Sequence, residues 1–250
     1  MRTGNPALNE KTFQSFYGEA AGSANVMTIQ GTAWKTLILL GMCAGTACFT
    51  WTRVMNGDMA TAMPLVMGGV IGGLIFGVAT AFMPKWAAIT APLYALAQGL
   101  FLGGISGIYE LRYPGTGIVL QAISATFGTL FALLMAYQSG LIRATENFKL
   151  GVVAATGGIA ILYLVSFVLS FFGMSIPFID QPNWIGIGFS AVVVVIAALN
   201  LVLDFDFIET AANRGAPKYL EWYGAYGLMV TLVWLYIEIL RLLSKLNSRD

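Results

Sequence analysis

The chain alternates between long apolar runs and short polar breaks. A helix that crosses a bilayer needs about 20 mostly apolar residues, because every backbone polar group must be satisfied within the segment. Seven runs meet this requirement: residues 34–51, 64–83, 87–109, 117–138, 150–172, 184–203 (extending to about 208) and 222–243. The pattern predicts an all-α fold, a polytopic membrane protein built as a seven-transmembrane-helix bundle. A polar N-terminal segment, 1–33, precedes a membrane domain, 34–246, and a short tail, 247–250. No apolar core follows the start of the polar segment, so no cleavable signal peptide is expected.

The punctuation agrees with these spans. Pro64, Pro84, Pro114, Pro177, Pro182 and Pro217 fall at or between run ends. Pro92 alone sits inside a run, where it predicts a kink. Trp34, Trp51, Trp86, Trp184 and Trp222 stand at expected interfaces, where an amphipathic ring is favoured. Trp234 falls midway along the seventh run. Gly68, Gly69, Gly72, Gly73 and Gly77 line the second run, and Gly99, Gly103 and Gly107 the third. Four-residue spacing gathers them into stripes, which lets neighbouring backbones approach closely. Gln98 and Gln121 read as single buried amides that bond between helices.

Composition narrows the class. The chain is 58% hydrophobic and 10% charged, against roughly a quarter charged in soluble domains. A soluble enzyme, a nucleic-acid binder and a disordered chain are excluded. Histidine is absent, which removes the helical zinc motif, the Ser/His/Asp triad and His-ligated haem. Cys43 and Cys48 lie within one run and read as small core residues. No enzyme activity, cofactor or bound metal is expected. The expected surroundings are the lipid bilayer and other membrane proteins.

Lysines and arginines orient the spans. With the N-terminus inside, Arg2, Lys11, Lys35, Lys85, Arg143, Lys149, Arg214 and Lys218 lie on the inner side, and only Arg53 and Arg112 on the outer. A cytoplasmic N-terminus follows. Seven crossings then put Arg241, Lys245 and Arg249 outside, against the same rule.

Ionisable groups in or near spans are expensive, so they are the functional candidates. Asn200 and Asp204, four apart near the end of the sixth run, share a face that continues through Ala197, Val193 and Ser190. Asp206 lies roughly 200° further round the helix. The helix dipole and poor solvation oppose a negative charge at Asp204, which makes it a candidate proton-sensitive switch. The opposing reading is a helix-end carboxylate paired with Arg214 or Lys218. On the seventh run Gly224, Gly227, Thr231, Trp234 and Glu238 form one stripe, as a central helix would need. Glu238 either snorkels to the outer interface or meets Arg53 or Arg112. Glu110 and Arg112 flank the third run as a local ion pair or a cation entrance. A Schiff-base lysine in mid-helix seven is absent; Lys245 stands at its end.

Three segments, in order, resemble the Bax inhibitor family, the transmembrane Bax-inhibitor-motif proteins, in its bacterial branch. Gln121-Ala-Ile-Ser-Ala-Thr126-Phe is similar to that family's "EA…T" element, with Gln121 in place of Glu. Leu203-Asp204 is similar to its "YD" element. Leu232-Val-Trp-Leu-Tyr-Ile-Glu-Ile-Leu-Arg241-Leu-Leu resembles its "FINLFxxLLR" ending. The resemblance covers residues 34–246. It implies a pH-sensitive calcium leak in the plasma membrane of a bacterium. It also implies a gate in which two aspartates, on helices six and seven, share a proton. Two close carboxylates cannot both ionise cheaply, so such a pair senses protons. Only the first carries over, onto Asp204. Aligned through Arg241, the second falls on Thr231. Glu238 lies roughly 10 Å further along that face, and Glu221 is a candidate substitute partner. Asp204, Asp206 and Glu221 are therefore the expected proton-sensing gate, with Asn200, Thr231 and Glu238 facing the pore and Ca²⁺ the expected transported ion. The alternative is a membrane regulatory protein without transport, acting in stress survival or membrane-protein quality control.

Overall fold

The computed structural model describes residues 26–174, 176, 179 and 181–248. Seven long helices follow in order: α1 (Ile29–Met55), α2 (Met59–Phe82), α3 (Ala87–Arg112), α4 (Ile118–Gln138), α5 (Glu146–Ser170), α6 (Trp184–Asn213) and α7 (Leu220–Asn247). A 3₁₀ turn, Pro84–Trp86, leads into α3. All seven are long and apolar enough to cross a membrane. Among the described residues extended pairing is limited to one bridge, Val26 with Pro217. Leu74, Phe82, Leu120, Phe131, Leu164 and Phe167 are all exposed. A water-soluble protein rarely presents so much apolar surface, whereas a lipid-embedded one must.

Side-chain caps set several helix starts, and they lie outside the apolar runs. Thr28 Oγ1 accepts from Gly31 N at 2.9 Å, so α1 begins at Ile29 rather than at the first apolar run. Asp58 accepts from Thr61 N at 3.2 Å and starts α2 at Met59. Pro64 is therefore inside α2, not at its end as the apolar pattern suggested. The cap recruits the turn before Pro64 into the helix. Asp58 also faces Arg53 at 3.5 Å. The hydrogen bonds from Thr61, then Arg53, hold its carboxyl below the ordinary value.

The chain divides into two compact units. Among the described residues, one comprises 26–116 and Asp206–Val230. Here α3 packs on α1 and α2 through its glycines. A Cβ at Gly103 would run into the Ala47 carbonyl of α1, and one at Gly99 into Thr46 and the Cys43 carbonyl. On α2, a Cβ at Gly69 would lie 2.7 Å from both Ala97 O and Phe101 N of α3. Of the stripe glycines, Gly69, Gly99 and Gly103 are thus sites of backbone contact, Gly72, Gly73, Gly77 and Gly107 meet side chains, and Gly68 faces open space. Thr46 Oγ1 donates to Leu96 O at 3.0 Å, and Tyr226 of α7 donates to Gly77 O at 2.8 Å. Two expectations fail on burial: Gln121 is exposed and Gln98 half-buried. Gln121 belongs to the first turn of α4, at the end of a span, where an amide can stay wet. Cys43 is buried as expected, but Cys48 is exposed, and both are free thiols.

Among the described residues, the other unit runs from Gly117 to Phe205 and from Thr231 onward. It contains α4, α5, most of α6 and the second half of α7. Of the seven spans α7 is the most deeply buried, at 61%, as expected of a central helix.

Candidate functional site

In the unit that holds α5, α6 and the second half of α7, buried polar groups line the faces where these helices meet. Asp204 is fully buried and Thr231 is 3% exposed. Thr231 Oγ1 donates to Asp204 Oδ2 at 2.6 Å. This short bond clasps α6 to α7. One turn back on α6, Asn200 Nδ2 donates to Thr156 Oγ1 of α5 and to Ile196 O, both at 2.8 Å. Asn200 Oδ1 is buried and has no hydrogen-bond partner. Ala197 and Val193, both fully buried, follow on the same face as apolar links.

A second cluster lies further along α7. Glu238 is 1% exposed. Its carboxylate accepts from the Tyr163 hydroxyl at 2.9 and 3.0 Å, and Arg241 Nη1 lies 3.5 Å away. Arg241 in turn donates to the Tyr163 oxygen at 2.7 Å. The hydroxyl thus stands between the guanidinium and the carboxylate. Beyond them Lys245 Nζ donates to Ser190 Oγ at 2.9 Å and to Gly186 O at 3.0 Å. Glu238 therefore neither snorkels nor meets Arg53 or Arg112. Arg53 sits by Asp58, and Arg112 sits over the Tyr113 ring. A buried carboxylate needs a partner within reach, and Arg241, three residues on, supplies it.

The other two expected gate residues stand in different surroundings. Asp206 is half-buried. Glu221 is fully buried, but in the unit that contains α1. Its carboxylate pairs with Lys35 and accepts from Thr28 N at 3.0 Å and Thr28 Oγ1 at 2.9 Å. Lys218 stands 3.8 Å from it. Glu221 is thus engaged by Lys35 and the α1 cap, while Asp204 meets Thr231. Glu221 precedes Thr231 by ten residues on α7, about 15 Å of helix rise. Among the described residues, no three His, Cys, Asp or Glu side chains come together to hold a metal ion.

A family model described as Bax inhibitor 1 like matches residues 5–248. The chain belongs to the Bax inhibitor 1 like family. It is an integral membrane protein of seven helices. Comparisons with curated proteins and with solved structures find no match. The resemblance that led to Asp204 therefore rests on a family that spans nearly the whole chain. This Bax inhibitor 1 like protein carries a hydroxyl where the resemblance implies a second carboxylate, and that hydroxyl meets Asp204 directly.

Tyr163 and Thr156 escaped the sequence reading. They stand seven apart on α5, a spacing that puts two polar groups on one face of an apolar helix. That spacing is the signal that could have found them. Arg241 was legible as the i+3 neighbour of Glu238. The pairing of Lys35 with Glu221 joins residues 186 apart and left no local trace.

Proposed function

We propose that this protein is a passive, pH-sensitive cation leak, without enzymatic activity, whose gate is the clasp of α6 to α7 at Asp204. Calcium is the ion that the family resemblance implies. The charge distribution supports a cytoplasmic N-terminus, and the resemblance supports a bacterial plasma membrane. The observation that carries the reading is the Thr231 to Asp204 bond of 2.6 Å, between two side chains removed from solvent.

The chemistry follows from the donor. Two carboxylates can be joined only by a shared proton. A threonine hydroxyl brings its own hydrogen, so this clasp needs no shared proton and closes on a protonated Asp204 through its carbonyl oxygen. The ionised form presents a negative charge to an approaching cation; the protonated form does not. Cation flux is accordingly expected to rise with pH as Asp204 loses its proton.

Purified protein in liposomes loaded with a calcium indicator tests the reading. Flux that rises with pH, and that loses this dependence in Asp204→Asn, is the expected result. If Asp204→Asn leaves flux and its pH profile untouched, the gate is elsewhere. Liposomes silent to every cation, with a stably co-purifying membrane protein, would favour the regulatory alternative.

A further inference from the structure

Asn200 works against the packing that encloses it. It lies near the middle of α6 and meets Thr156 near the middle of α5, so both are far from either membrane face. The residue is 2% exposed. Its Nδ2 is committed to Thr156 Oγ1 and to Ile196 O. Its Oδ1 is shut off from solvent, and no donor among the described residues reaches it. Exchanging the two amide atoms does not repair this, because Oδ1 would then face the Ile196 carbonyl, acceptor against acceptor. A buried acceptor left this way loses its hydration and gains no bond in return. A leucine would fill nearly the same space in this apolar span without that cost. The threonines of this protein show another solution. Thr36, Thr80 and Thr126 each turn the hydroxyl back to the carbonyl four residues earlier, at 2.9, 2.7 and 2.7 Å.

We propose that Asn200 is the opening element of the gate: its amide oxygen, dry in the closed state, is hydrated when α5 and α6 part, and that gain opposes the Thr231 clasp. The proposal rests on the reading of Asp204 and Thr231 as the gate and adds the group that works against them. The clasp lowers the energy of the closed form through a bond that it makes. Asn200 raises it through a bond that it lacks. Both act on α6, one turn apart. Nδ2 contributes little to the difference, because it is bonded in both forms, to Thr156 and Ile196 O when closed and to water when open. Oδ1 is bonded only when open. A leak held shut by one hydrogen bond and opposed by one missing bond stays near balance, where ionisation of Asp204 is enough to tip it.

Cation efflux from liposomes at one fixed pH tests the device, with Tm measured on the same full-length proteins. Asn200→Leu removes the dry acceptor. It leaves Ile196 O in the ladder of its helix, and the Thr156 hydroxyl within reach of a carbonyl of α5. It is expected to lower efflux about tenfold, equivalent to about 1.4 kcal/mol, and to raise Tm by roughly 3–6 °C. Asn200→Thr, whose hydroxyl turns back to Ile196 O, should move both readings the same way, which keeps the test readable if the leucine variant fails to fold. An amide that only fastens α6 to α5 predicts the opposite: a lower Tm, with efflux unchanged or raised. That result overturns the proposal. A third variant reads the hydration directly. With Cys43→Ala and Cys48→Ala in place, Asn200→Cys should react with a membrane-impermeant thiol reagent about fivefold faster once Thr231→Val is added. Equal labelling beside a raised efflux overturns the proposal while the leak stands, because position 200 then stays dry in the open form. A raised Tm in proteins that pass no cation removes the leak, and the gate with it, while the dry amide stands.

Discussion

Thr231→Val tests the clasp with the least change of shape. Valine keeps the branched volume of threonine and removes the hydrogen that Thr231 directs at Asp204 Oδ2. That bond is 2.6 Å long, and both residues are buried, Asp204 fully and Thr231 to 3% exposure. Water does not compete for it. A buried hydrogen bond of this kind contributes about 0.5–1.5 kcal/mol. If the bond exists in the closed state and not in the open one, losing about 1 kcal/mol shifts the equilibrium roughly fivefold toward open. The assay is cation efflux from liposomes at one fixed pH, comparing wild type, Thr231→Val and Thr231→Ser. Valine should raise the leak by about that factor while it remains small, and serine, which keeps the hydroxyl, should stay near wild type. Efflux from the valine variant equal to wild type would refute the clasp as a gate. Serine as leaky as valine would mean that the methyl contact, not the hydroxyl, holds the helices.

Tyr163→Phe removes the hydroxyl between Glu238 and Arg241 and should destabilise by about 1.5–3 kcal/mol, a fall in Tm of roughly 3–10 °C; a double-mutant cycle with Glu238→Gln should be strongly non-additive, and additive losses would refute the network. Gly103→Ala forces a Cβ against the Ala47 carbonyl and should cost about 1–3 kcal/mol. Gly151→Ala, with nothing within 4 Å of the added carbon, should be neutral or stabilising by about 0.5–1 kcal/mol, and thermal unfolding of the two variants side by side checks the contrast. Asp58, held below the ordinary carboxylate value by Thr61 and then Arg53, supports folding at all pH above its unfolded value and loses that support as pH falls through its lower folded value. Asp58→Asn should therefore flatten the pH dependence of Tm below about pH 4 and leave its slope at neutral pH unchanged.

The spans were legible because a bilayer demands long apolar segments, and little else in this chain competes with that signal. Helix starts were less so: Thr28 and Asp58 lie outside the apolar runs, and a cap is a single polar residue rather than a pattern. The alignment through Arg241 brought Thr231 to the position opposite Asp204, and the two residues do meet. Partners across helices were harder. Glu238 was expected to snorkel to the outer interface, to meet Arg53 or Arg112, or to face the pore, whereas the tyrosine waiting on α5 was one residue in an apolar run. Glu221 was grouped with Asp204 by proximity in sequence and charge, yet Lys35 and the α1 cap claim it. Spacing within one helix fixes which groups share a face. It does not say which distant helix that face will meet.

The pairing of Lys35 with Glu221 also bears on how the protein is made. The two lie 186 residues apart, and a ribosome adds about 5–20 residues per second. Lys35 thus emerges roughly 10–40 s before its carboxylate exists. During that interval α1, α2 and α3 enter the bilayer with a lysine near the start of the first segment, its ammonium kept at the interface by its flexible stem. The unit that contains these helices is completed by Asp206–Val230, so it closes only when the last helix is being synthesised. Chains cut short before residue 220 should remain unfinished at both ends and fall to membrane quality control, however well their first three helices insert.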